Sequence, residues 1–223
     1  MPRLLIEDFL QTQGLKLSVD DVYAAYIAAQ AVINVGNAAI ERSVLWPEKN
    51  GFKLAEYIES NADNDASLKQ AFMALDSVYS RQANIRSAAV YAHMPSEMLT
   101  PKLVLLTQQG LGLEPDLDVN EENSQIYLAC RTAQSGWMNV AEDTARWLAL
   151  GEISGGRNAS AEAQVSIPIC TKSGAVLGVL HIEFNNKNQI NDATLAEWAA
   201  LSLALAGPLK ALLNITDEET EHD

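Results

Sequence analysis

The stretch QVSIPICTKSGAVLGVLHIEF, residues 164–184, decides how the chain is read. Apolar alternation on either side of a glycine-containing turn is the mark of a hairpin, here turning at Lys172-Ser173-Gly174. Side chains alternate between faces along a strand. Val165, Ile167 and Ile169 therefore share one face, and Gln164, Ser166, Pro168 and Cys170 the other. In the second strand Val176, Gly178, Leu180, Ile182 and Phe184 line one face, and Leu177, Val179, His181 and Glu183 the opposite one. Both faces are apolar for part of that length, which puts this strand inside a sheet covered on both sides.

Downstream, Asn185-Asn186-Lys187-Asn188 turns the chain, and Asn191 or Asp192 caps a helix over residues 193–213 that Pro208 should kink or interrupt. Upstream, residues 151–163, with Ser154-Gly155-Gly156, read as a flexible loop. Residues 143–150 read as helical and 136–140 as a turn and short strand. Local rules leave 124–132 open between helix and strand, and 110–123 is irregular enough to be expected as a mobile surface loop. Short β-rich runs at 87–93 and 102–107 flank a loop with two prolines. Leu68, Phe72, Leu75 and Val78 give helical spacing to residues 66–82, preceded by a polar loop at 60–65 and a weaker helix at 52–59.

Near the start, residues 3–13 form a short amphipathic helix, and Ser18 with Asp21 caps an Ala-rich helix over 19–44. Residues 22–40 carry no charge over about the length of a bilayer span. Tyr23, Tyr26, Gln30, Asn34 and Asn37 keep that stretch polar, so a buried or dimer-forming helix is the reading preferred to a membrane span. The element order describes an α+β domain, with helices gathered on a mainly antiparallel sheet.

The net charge is −14, with 29 acidic against 15 basic residues, which disfavours contact with phosphate backbones. Residues 215–223 read as a disordered acidic tail. Two cysteines, Cys130 and Cys170, lie far apart in sequence, a usage suited to a reducing compartment. Acidic residues interrupt the first fourteen positions where an export signal needs an apolar core, so a cytoplasmic location is expected.

Four short features, taken in order, resemble the GAF domain family of small-molecule-sensing and dimerisation modules. They are Ala133 to Val140, the strand with Pro168, the Ser173 to Leu180 hairpin with Gly178, and the helix opened by Asn191-Asp192. The resemblance implies a GAF-like central antiparallel sheet with helices packed on one face, plus an N-terminal helical extension. It divides the chain into an extension (1–65), a sensory domain (66–214) and the tail (215–223). It also implies that 124–133 is a helix leading into a cleft, with ligand on one sheet face beneath residues 136–163.

Trp137 and Trp147 flank that cleft and, with Asn139, Ser166 and His181, are the candidate ligand-binding residues; core packing is the competing reading for the tryptophans. His181 and Glu183 share a strand face and can hold a metal, a haem or a proton donor, against the ordinary reading of a satisfied core histidine. His93 and His222 supply no third ligand, so no metal site is assigned. No catalytic residue or cofactor is assigned either. Asn186-Lys187 and Asp192 mimic part of the cyclic-nucleotide signature of the GAF family, but its phenylalanine and Asp-Glu pair are missing. A related family with GAF architecture reduces free methionine sulfoxide with clustered cysteines; Cys130 and Cys170 lack that close spacing. The expected function is a non-enzymatic small-molecule-sensing or regulatory interaction module acting as a homodimer or through a protein partner, without direct nucleic-acid or membrane contact. The alternatives are a structural adaptor without ligand and a thiol-dependent reductase.

Overall fold

The computed structural model describes residues 2–35, 39–49, 51–95, 100–187 and 189–215. His222, nearly all of the acidic tail and part of the proline loop fall outside them. In chain order, α1 (Pro2–Thr12), α2 (Val19–Val35) and α3 (Arg42–Leu45) precede a two-stranded ribbon of β1 (Glu48–Lys49) and β2 (Phe52–Lys53). Helix α4 (Ala62–Tyr79) leads into β3 (Ile85–Met94), β4 (Lys102–Gly110) and β5 (Asp116–Asp118). Helices α5 (Glu121–Ile126) and α6 (Leu128–Ser135), strand β6 (Asn139–Ala141), α7 (Thr144–Leu150) and a 3₁₀ turn (Gly156–Ser160) follow. The hairpin of β7 (Ala163–Cys170) and β8 (Val176–Phe184) and the long α8 (Asp192–Leu212) close the fold.

One antiparallel sheet of six strands, in the order β5-β4-β3-β8-β7-β6, forms the centre. The hairpin has the expected register, with Val165 opposite Ile182 and Ile167 opposite Leu180. Its turn closes through Gly174, whose φ of 88° favours a residue without a Cβ and whose N–H donates to the Thr171 carbonyl at 3.0 Å. Ala88, Val90, Val104, Leu106, Val165, Ile167, Leu180 and Ile182 meet the long helices α2, α4 and α8 in one core, where Trp198, Leu68 and Leu75 are fully buried. Gly178 lets α8 come close. A Cβ there would run into the Tyr91 carbonyl oxygen and the Leu209 side chain.

Pro208 neither stops α8 nor leaves its gap open. A proline lacks the N–H that would bond the carbonyl four residues back. That carbonyl is Ala204 O, and Gln30 Nε2 of α2 donates to it at 3.3 Å. The same side chain that keeps α2 polar thus completes α8. Helix α8 is the one described helix long and apolar enough to cross a membrane, and it lies at the centre of this core.

The structure corrects several boundaries. The Ala-rich helix ends at Val35, ahead of Gly36-Asn37, and does not reach residue 44. Residues 52–59 hold a strand and a 3₁₀ turn (Leu54–Glu56) in place of a helix. The expected loops at 60–65 and 110–123 contain the start of α4, strand β5 and the start of α5. Residues 110–123 are an ordered wall, because Leu113, Leu117 and Val119 are buried against the sheet. The single helix that the family resemblance implied over 124–133 is two, the end of α5 and most of α6, broken at the extended Tyr127.

Candidate functional site

The second face of the sheet is covered by α5, α6 and the loops around them, and it is built differently. Cross-strand pairing sets Ser166 of β7 opposite His181 of β8, one residue pair from Gln164 opposite Glu183. The Ser166 hydroxyl lies 2.7 Å from His181 Nδ1. With that hydroxyl donating, Nε2 carries the imidazole proton and faces Glu183 Oε1 at 3.7 Å. Arg157 reaches in from the 3₁₀ turn, its Nη2 donating to Glu183 Oε1 at 3.1 Å and its Nε to Glu114 Oε1 at 3.0 Å. Its guanidinium lies 5.4 Å from the Tyr127 ring centroid, within cation–π range. Tyr91 Oη donates to the Glu114 carbonyl at 3.0 Å, and Arg86 Nε stands 3.7 Å from the other Glu183 oxygen.

Between these groups is a cavity of about 10 Å³, lined by Tyr91, Glu114, Tyr127, Arg157 and His181 with Leu113 and Leu117. That is the room of about one water molecule. Glu183 and His181 are only 2% and 3% exposed. Burial pushes the Glu183 carboxyl up, but His181 and Arg157 outweigh it and hold the group below its usual range. Burial works against the Arg157 charge too, and Glu183 and then Glu114 raise its pKa above the ordinary value. Both ends of the pair are therefore held charged inside the protein.

The loop side is fixed by asparagines. Asn158 Nδ2 donates to the carbonyls of Ile126 and Ser154 at 2.7 and 2.6 Å, and its Oδ1 accepts from Gln164 Nε2 at 3.1 Å. Asn120 caps α5 by accepting from the Asn123 N–H at 2.8 Å, while Asn123 Nδ2 donates back to Asp118 O at 2.7 Å. At the far end of α6, Gln13 bonds both Gly136 O (3.0 Å) and the Met138 N–H (2.6 Å), clamping α1 to this layer.

Of the candidate residues, Ser166 and His181 meet directly. Asn139, opposite Ser166 in register, joins them through Thr132, donating to Thr132 Oγ1 at 2.9 Å while that hydroxyl donates to Ser166 O at 3.3 Å. Trp147 packs with Leu128, Ala141 and Ile153 in a separate small cluster, and Trp137 is 55% exposed; neither lines the cavity. Arg157 and Glu114 were not anticipated. The sequence signal was a single cation between Arg146 and Lys172, in a segment read as loop.

Ser166, His181 and Glu183 have the composition of a nucleophile, base and acid. Ser166 is fully buried, however, and its hydroxyl is bonded to the His181 imidazole. The thiols are separated by surroundings. Cys130 is buried among Tyr91, Leu103 and Ala133, and burial pushes it up to about 12. Cys170 faces a groove of about 510 Å³ between α1 and the hairpin tip, lined also by Phe9, Tyr26, Pro168 and Leu203, and burial pushes it up to about 11. Thiolate fractions at neutral pH are then on the order of 10⁻⁴ or less, which works against thiol attack. The groove's amide group, Gln13, is already bonded to the chain itself, whereas the small cavity gathers charged groups held out of water. Convergent perturbed charges mark the better candidate site. Among the described residues no group of three or more His, Cys, Asp or Glu is placed to hold a metal ion.

Neither a protein-family model nor a curated protein matches the chain by sequence. Solved structures do match by fold. The GAF domain of an Acinetobacter phosphoenolpyruvate-protein phosphotransferase aligns with a TM-score of 0.56 at 12% identity, over 88% of this chain and 97% of that one. The type II free methionine-R-sulfoxide reductase of Thermoplasma acidophilum aligns at 0.55 and 11%, over 68% and 98%. The free methionine-R-sulfoxide reductase of Neisseria meningitidis, solved with its substrate, aligns at 0.55 and 11%, over 87% and 92%. The chain therefore has a GAF-like α+β fold, one shared by that GAF domain and by the reductases.

Proposed function

We propose that this chain is a cytoplasmic, non-enzymatic regulatory module in which residues 66–214 sense a small molecule and residues 1–65 relay the result. The observation that carries the reading is the buried Arg157–Glu183–His181 network around a small cavity, on the sheet face opposite the long helices. A ligand entering there would shift α6, and Gln13 would pass that shift to α1 and so to α2. Its effect is limited to its differential affinity for the two helix arrangements.

The output surface in this reading is α2. Ala24, Ile27, Ala28, Ala31 and Val35 form one exposed, uncharged stripe on it, Ile27 being 45% and Val35 65% exposed. A second copy of the chain, pairing α2 with α2, would cover that stripe. Light scattering should give a dimer for the wild type and a monomer for Ile27→Glu. A thermal-stability screen against metabolites should reveal at least one that raises the midpoint of both. An unresponsive protein that co-purifies with a stoichiometric partner would instead establish the structural adaptor, which the small cavity also favours.

A further inference from the structure

The site already contains an occupant, and it belongs to the chain. The Arg157 guanidinium donates to two carboxylates, Glu114 at 3.0 Å and Glu183 at 3.1 Å, and has the Tyr127 ring beside it. These are the three features by which proteins bind free guanidinium and ammonium compounds. The carboxylate lining is fixed from behind: Glu183 rises from the middle of the sheet, 2% exposed, with His181 and Arg86 on its remaining sides. Arg157 is the member of its pair with Glu183 that reaches the surface. Its side chain is 20% exposed, and it stands just after Gly155 (φ 87°) and Gly156, six residues beyond Gly151 (φ 72°).

Withdrawing Arg157 would leave Glu183 without that partner and Glu114 facing a small pocket of Tyr91, Leu113, Leu117, Leu128 and His181. Arg86 and His181 remain beside Glu183, but two carboxylates sharing one site favour a cation in the place of Arg157 over a neutral or anionic group. An anion entering beside Arg157 would meet both carboxylates. With only about 10 Å³ free, the head group must take the place of the guanidinium and its tail must leave along the path of the Arg157 stem.

We propose that Arg157 is a tethered stand-in for the ligand, and that the site takes a compound with an alkyl guanidinium or primary alkylammonium head group that displaces it. The inference rests on the sensing reading above and gives its ligand class. Competition from a tethered group makes binding to the wild type weak and makes removal of Arg157 strengthen it.

Calorimetric titration with butylguanidinium and butylamine tests this, with sodium butyrate at matched ionic strength as the anionic counterpart. Arg157→Ala should bind butylguanidinium saturably at least tenfold more tightly than wild type, and its midpoint should rise with the cation alone. Glu114→Gln introduced into that variant should weaken binding by tenfold or more. Should Arg157→Ala fail to fold, the Tyr127 ring resonances of the wild type should shift on titration with butylguanidinium and remain fixed with butyrate. No saturable cation binding to a folded Arg157→Ala protein, or a Tyr127 response to butyrate alone, overturns the ligand class. Stabilisation by an anionic or neutral metabolite alone overturns the class while leaving the sensing reading standing; a screen without any hit removes that reading itself.

Discussion

The two faces of the sheet solve the same problem with different chemistry. Toward α2, α4 and α8 the strands present Val, Ile, Leu and Ala, and the layer is held by apolar burial and close approach at Gly178. Toward α5 and α6 they present Ser166, His181 and Glu183 beside Tyr91, Leu103, Leu105 and Val179, and directional bonds to Arg157, Asn158 and Thr132 join apolar burial in holding the layer. The first face tolerates exchange of similar volumes. The second depends on every partner being present, because a buried polar group left alone is costly.

Four substitutions sharpen that contrast. The largest effect is expected for Gly178→Val, which forces atoms into the Tyr91 backbone: a loss of about 3 kcal/mol or more in chemical denaturation. Gly207→Ala, in the same helical layer but with open space at its Cβ, should gain about 0.5–1 kcal/mol and serves as its control. On the polar face, Glu183→Gln should cost about 2 kcal/mol at neutral pH. The Glu183 carboxyl is lower in the folded than in the unfolded chain, so its stabilisation is complete above about 4.5 and disappears as pH falls through the lowered folded value. The midpoints of wild type and Glu183→Gln should therefore converge below pH 4.5; a constant gap would mean that the charge is not what holds this face. The smallest loss belongs to Gln30→Ala, about 1 kcal/mol from reopening the Ala204 carbonyl. An unchanged denaturation curve would show that water serves that carbonyl equally well.

The same contrast explains what was legible in the sequence. Period-two alternation at 164–184 and the three- and four-residue spacing from Leu68 to Val78 predicted the hairpin and α4, since apolar burial leaves a periodic trace. The polar face leaves none. Two helix starts, that of α4 on the apolar face and that of α5 on the polar one, are written as Asn61-Ala62-Asp63-Asn64 and Asn120-Glu121-Glu122-Asn123, both read as loop because asparagine favours turns. In each, the first Asn caps the helix through the N–H of the second, and the second returns a bond to a carbonyl behind it (Glu59 at 2.8 Å, Asp118 at 2.7 Å). An Asn-x-x-Asn step ahead of an apolar run was the available signal. Arg157 and Glu114 were beyond it: they meet across 43 positions of chain, and charge leaves no mark of its partner in local order. Trp137 and Trp147 drew notice by size, yet large rings report packing more than binding.

The sheet is bordered by β5 and β6, each only three residues long. A short border strand gives a foreign strand little ladder to extend. Growth of the sheet by strand addition, the route to fibrils and to many peptide complexes, is therefore curtailed along β5 and β6 themselves. In the proposed dimer the contact falls instead to side chains on a helix, where it is reversible and can be tuned one residue at a time.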